Sequence, residues 1–245
     1  MKEDTVIGLQ LSPEARIHKT ILDLPKDLPK RSWIASLIRA NIPEEFWYID
    51  FRSFKGDPKA KELVQNYCTK IHEARKQGFG FLLSGSNGIG KTTLLILTLQ
   101  EALRNGYTAF YTTLPDIFRL IYRSYQYPSL LPELDRIVED TEFLAIGELG
   151  KDYHRHGSEA YAVSEFDSIF RHRRGRNLPT LMETNMIEVE LEDTYGESLI
   201  SLFRSRLKVI QMKGKDYRVE VQSEETEKFF GKVSSMMQKL KEEAQ

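Results

Sequence analysis

The residues Gly85-Ser86-Asn87-Gly88-Ile89-Gly90-Lys91-Thr92 follow the pattern G-x-x-x-x-G-K-[ST]. Glycines at this spacing let successive backbone N–H groups turn inward, making a cradle for phosphate oxygens. A lysine closing the loop neutralises β- and γ-phosphates, and the hydroxyl after it is a magnesium ligand. Lys91 and Thr92 fill those two places. The loop, with Thr93 behind it, is the candidate site for a nucleoside triphosphate, read as ATP with magnesium.

The pattern carries weight only between a strand and a helix, and both are predicted. Phe79 to Ser84 reads as a short buried strand, and Thr92 to Asn105 as a helix stopped by Gly106. The helix N-terminus adds partial positive charge beside the phosphate cradle. Further strands are expected at Thr108 to Thr113, Glu142 to Ile146, Pro179 to Glu183 and Leu207 to Met212. Helices are expected at Leu114 to Tyr125 and Ala160 to Arg173. This alternation implies an α/β fold: a parallel five-stranded sheet with helices on both faces. Upstream, Trp33 to Ile42 and Asp57 to Gln77 read as helices. The aromatic cluster Phe46-Trp47-Tyr48-Ile49-Asp50-Phe51 is expected to pack on the core as a lid.

The third strand runs into Ile146-Gly147-Glu148-Leu149-Gly150-Lys151. In P-loop ATPases this strand normally ends in an aspartate that supports the magnesium shell. Gly147 stands in that place, and Glu148 follows as the candidate for orienting an attacking water. The fourth strand ends in Thr184-Asn185, and a polar side chain at that tip can reach a γ-phosphate and its water. Gly147 has no side chain to offer, so ATP binding with weak hydrolysis is expected.

Taken in order, these pieces resemble the DnaC/IstB-like branch of the AAA+ ATPases, which holds bacterial and phage helicase loaders and transposition ATPases. The resemblance rests on Ala40-Asn41-Ile42-Pro43-Glu44-Glu45-Phe46, on Phe51 to Asp57, and on the P-loop. It continues through Ile146 to Lys151, where the family usually has I-D-(D/E)-L-G-K, and through Pro179 to Asn185. Ser205-Arg206-Leu207 and Gly214-Lys215-Asp216-Tyr217-Arg218 complete it. It implies an AAA+ P-loop NTPase domain over residues 41–222. A short N-terminal extension, residues 1–40, would dock a partner, and residues 223–245 would form a C-terminal amphipathic helix. It also implies roles. Asn185 sits at the sensor position, and Arg206 is the candidate arginine finger with Arg204 as its competitor. Arg218 is a sensor-like nucleotide contact. A finger acting on a neighbour's ATP requires an ATP-dependent homo-oligomer. The implied partners are a replicative DNA helicase and single-stranded DNA.

The helix after the second strand carries Phe118, Arg119, Tyr122, Arg123 and Tyr125, with Tyr127 beyond. Arginines interleaved with aromatics suit single-stranded nucleic acid, where cations follow the backbone and rings stack on bases. Arg119, Tyr122 and Arg123 are the candidate contacts. The spacing of Phe118, Ile121, Tyr122 and Tyr125 equally fits a stripe facing the core. A second basic run is Arg171-His172-Arg173-Arg174-Gly175-Arg176, with Lys151, His154, Arg155 and His156 on the preceding loop.

Composition sets bounds on these readings. A net charge of −1 over 245 residues supplies no global field toward nucleic acid, so any contact is a local patch. Cys68 is the only cysteine, which excludes a disulfide within the chain and a cysteine zinc site. It fits a reducing, cytoplasmic compartment. No apolar run approaches the ~20 residues that cross a bilayer, and Met1 to Leu11 is no signal peptide. The expected function is helicase loading. A transposition ATPase of the same branch is the alternative. A small-molecule or nucleoside kinase is opposed by the Ser-Arg-Leu and Thr-Asn arrangement, and a degenerate ATP-bound scaffold is kept open by Gly147.

Overall fold

Five short strands build one all-parallel sheet in the computed structural model, which describes residues 33–150, 159–217 and 230–231. The strands are β1 (Gly80–Ser84), β2 (Ala109–Thr113), β3 (Phe143–Leu149), β4 (Thr180–Thr184) and β5 (Leu207–Gln211), in the order β2-β3-β4-β1-β5. Central strands of such a sheet are covered on both faces, so they read as unbroken apolar runs. Phe81 and Leu83 of β1 enter one hydrophobic cluster, and Leu82 between them enters the other.

The first cluster is covered by α1 (Trp33–Arg39), α2 (Pro58–Thr69), α3 (Ile71–Gln77) and α4 (Lys91–Arg104). The second is covered by α5 (Leu114–Gln126), α7 (Glu159–Gly175) and α8 (Glu188–Arg204). A short α6 (Leu131–Asp135) lies between α5 and β3. The predicted helix from Asp57 to Gln77 is in fact two, because Lys70 leaves helical geometry at φ −110°. Helix α8 was not expected. Its Gly196, at φ 79°, breaks the 3.6-residue rhythm that would have revealed it.

Within the basic run from Arg171 to Arg176, Arg173 turns inward while Arg171, Arg174 and Arg176 stay exposed. Arg173 is fully buried and donates to Thr180 Oγ1 and to the carbonyls of Val138, Thr141, Glu142 and Pro179. It ties α7 to the loops that enter β3 and β4. Arg171 pairs with Asp167, and Arg176 with Asp140. No helix among the described residues is long and apolar enough to cross a membrane. The expectations for the extension upstream of Trp33, for Lys151, His154, Arg155 and His156, for Arg218 and for most of residues 223–245 lie outside the described residues.

Candidate nucleotide site

The glycine-rich loop leaves the carboxyl end of β1 and enters α4 at Lys91. Two of its glycines are required by their surroundings. Gly90 caps α4 in the left-handed region (φ 90°), and a Cβ there would lie 2.6 Å from the Phe54 ring. Gly88 has φ 71°, and a Cβ there would overlap the Asp216 carboxylate. Ile89 is fully buried and anchors the loop in the first cluster, while Asn87 and Thr93 border the cavity above it.

Lys91 folds back over the loop. Its Nζ donates to Gly85 O, Ser86 O and Asn185 Oδ1, each at 2.7 Å. Asn185 follows β4, the strand beside β1, so two strand ends meet at one ammonium group. The next side chain makes a second cross-strand bond: Thr92 Oγ1 donates to Glu183 Oε1 at 2.8 Å. Glu183 is only 6% exposed. No motif spacing marks it in the sequence. The available signal was one acid inside the apolar strand Leu181-Met182-Glu183-Thr184, since carboxylates are almost never buried without a partner.

Gly147 and Glu148 lie at an irregularity between β3 and β4. Ile146 pairs with Met182 and Leu149 with Thr184, so two residues of β3 oppose Glu183 alone. This is a β-bulge, and it puts Glu148 at φ 61°. Tyr111, on β2, faces the same spot. Burial pushes its phenol pKa up, and the Glu183 and Glu148 carboxylates add to the rise.

The cavity over the loop has a volume of about 740 Å³, within the range of small-molecule sites. The loop forms its floor, Glu148, Glu183 and Asn185 one wall, and Phe46, Ile49 and Phe54 the other. The aromatic cluster thus does pack on the core, with Trp47 Nε1 donating to Ile42 O at 2.8 Å, although Tyr48 is exposed. Asp57 caps α2 and also accepts from Lys213 N at 2.8 Å. Burial works to raise its pKa, but the N–H groups of Lys213, Ala60 and Lys59 hold the carboxyl below its ordinary value. Tyr217 N donates to Gly88 O at 3.0 Å, which closes the loop from the downstream side.

Among the described residues no group of three or more acidic, histidine or cysteine side chains converges as a metal site. Magnesium does not need one, because it binds through one or two carboxylates together with a nucleotide's phosphates. Thr92 and Glu183 beside an anion cradle fit that donor set.

The arginines lie elsewhere. Arg206 precedes β5, at the end of the sheet opposite the P-loop. Its Nη1 donates to Gln77 O at 2.6 Å, and its guanidinium carbon is 5.9 Å from the centre of the Phe79 ring. Arg204 is held by Glu188 at 2.8 Å and by Glu192. Neither reaches the P-loop of its own chain. On α5 the buried face is Ile117, Leu120, Ile121 and Ser124. Arg119 and Arg123 are exposed, as are Tyr122, Tyr125 and Tyr127, so Tyr122 and Tyr125 do not belong to a core stripe.

No family model matches the chain. The replicative helicase loader DnaI of Bacillus subtilis (strain 168) is 24% identical over 146 residues, which is 58% of this chain and 45% of that protein. The match thus spans less than half the length of that curated relative. Among solved structures, the DnaC helicase loader superposes with a TM-score of 0.61 at 18% identity, over 70% of this chain and all of that one. A structure of DnaI gives 0.54 at 20% identity, over 68% and 95%. The replication initiator DnaA bound to AMPPCP and single-stranded DNA gives 0.57 at 18% identity, over 76% and 56%. The chain shares with them its α/β fold.

Proposed function

We propose that this chain, an AAA+ protein similar to the DnaC/IstB-like helicase loaders, binds ATP with magnesium and uses it to control assembly with a replicative DNA helicase on single-stranded DNA. One observation carries the nucleotide reading: the P-loop ammonium of Lys91 also bonds Asn185 at the tip of β4. An ammonium has three donors, and among the described residues Lys91 donates to three acceptors. A triphosphate in the loop must take over at least one of them. Where the bond given up is the one to Asn185, the exchange links the phosphates to the strand end that leads into α8. The likeness to a replicative helicase loader supplies the partner class, and the exposed arginines and tyrosines of α5 supply a surface for single-stranded DNA.

Thr92 and Glu183 would hold magnesium against the phosphates, and the ion neutralises charge on the β- and γ-oxygens when bound. Glu148, at the bulge, is the side chain in place to orient water. The residue before it carries no acid, so support for the metal would come from β4 instead of β3, and we assign the chain slow hydrolysis on that altered placement. Arg206 would act on the nucleotide of a neighbouring copy in an ATP-dependent homo-oligomer, with Arg218 as a further nucleotide contact. This makes the chain an assembly switch more than a fast enzyme.

The experiment mixes the protein with candidate helicases, ATP and single-stranded DNA, then measures assembly mass and unwinding. An ATP-dependent complex with a helicase is expected. No complex with any replicative helicase removes the loader reading. Capture of a transposase instead favours the transposition ATPases of the same branch.

A further inference from the structure

The geometry points to Glu183 as the acid that completes the magnesium side of this site in place of a side chain at position 147. The inference rests on the reading that the loop binds a magnesium nucleotide, and it goes further by moving the supporting carboxylate to a different strand.

Gly147 occupies the position where P-loop ATPases carry an aspartate. A Cβ built there would lie 3.1 Å from Glu183 Oε1 and 2.9 Å from the Tyr111 hydroxyl. The space beside Gly147 is therefore already taken by a carboxylate from β4. The same Oε1 accepts the Thr92 hydroxyl at 2.8 Å, so it sits at the residue that would meet the metal. Neighbouring strands are separated by about 4.8 Å, and glutamate is one methylene longer than aspartate, which helps it reach across. The bulge supplies the remaining adjustment by setting Gly147 and Glu148 together against Glu183.

Burial gives the arrangement its meaning. A carboxylate held this deep must be offset by a cation or by donors. Thr92 is one donor, and bound magnesium would add a cation beside it. Gly147 is then an accommodation: an aspartate there would crowd a second carboxylate against the first. Support of the metal and orientation of water remain separate tasks, now carried from two different strands by Glu183 and Glu148.

The test titrates the purified full chain with a fluorescent ATP analogue, once in EDTA and once across a magnesium series. The readout is the gain in affinity that magnesium confers. Glu183→Gln keeps the shape, removes the charge, and should lower that gain roughly 10- to 100-fold. Gly147→Asp alone should not raise it. Gly147→Asp combined with Glu183→Ala should recover most of it. A Glu183→Gln protein with the full magnesium gain overturns the proposal, and so does a folded double variant no better than Glu183→Ala. If thermal unfolding shows the double variant to be unfolded, the Glu183→Gln result decides alone. Wild-type protein that binds nucleotide equally with and without magnesium overturns the inference only. Wild-type protein that binds no nucleotide overturns the underlying reading as well.

Discussion

Lys91 Nζ and Asn185 Oδ1 lie 2.7 Å apart, although the two residues come from different strand ends of the sheet. The contact divides their labour. Lys91→Ala removes the charge-assisted bonds to phosphate, and nucleotide affinity should fall roughly 10- to 100-fold. Asn185→Ala leaves the ammonium two carbonyl acceptors, so affinity should change less than about threefold while ATP-dependent assembly is lost. Equilibrium titration beside mass measurement separates the two. Equal losses of affinity in both variants would contradict the division.

The α5 surface makes a second prediction. Tyr122→Ala and Tyr125→Ala should each weaken binding to a labelled oligonucleotide by about 1–3 kcal/mol, the usual worth of a stacked base. Arg119→Ala and Arg123→Ala should each flatten the salt dependence, lowering the slope by about 0.7. Absent binding with ATP present, or binding that ignores salt, sinks the single-strand reading.

Arg206 and Arg204 separate by where they act. Arg206→Ala should leave a subunit's nucleotide affinity intact and cut turnover of the assembled oligomer by about 1,000-fold or more, the scale of an arginine finger. Arg204→Ala loses two exposed ion pairs and should change turnover little. Mixing Arg206→Ala subunits with Lys91→Ala subunits should restore turnover at the mixed interfaces, because each supplies what the other lacks. No restoration would place the finger elsewhere.

Arg173 is the strongest stability prediction. Arg173→Met leaves four carbonyls and a hydroxyl without their buried donor. The loss should be about 3–5 kcal/mol, measured as a shift of the denaturant midpoint at constant slope. A loss below about 1 kcal/mol would mean water replaces the guanidinium.

Cys68 should be nearly inert. Burial raises its pKa to about 12, opposed only in part by its weak contact with Thr98. Only the thiolate reacts, so at pH 8 the reactive fraction is on the order of 0.0001. Labelling of the folded protein should rise about tenfold per pH unit between 7 and 9 yet stay far below that of the denatured chain. A folded-state rate equal to that of free cysteine would contradict the raised pKa of this half-buried thiol.

The sequence disclosed the loop, the five strands and the place of Asn185 at a strand tip because each depends on local rules: a fixed spacing, an apolar run, a polar residue where a strand ends. Glu183 was hidden because its role depends on which strand lies beside β3, and adjacency is set by sheet order. Arg173 was hidden for a related reason. In a run of five basic residues, only packing distinguishes the one that turns inward. Tyr122 and Tyr125 fit a helical apolar stripe, but the narrower row Ile117, Leu120, Ile121 and Ser124 won the core. Helix α8 escaped because its glycine divides the pattern in two.

The P-loop is clasped by Phe54 from upstream and by Asp216 and Tyr217 from far downstream. The consequence is one of timing. A chain emerging from the ribosome has made Gly85 to Thr92 early, but it gains the contacts of Asp216 and Tyr217 only when that segment is free to fold back. At ordinary rates of synthesis that interval is on the order of ten seconds. Completion of the clasp is therefore a late event for each new chain, and a product broken off before the last strand would carry the motif without its downstream contacts.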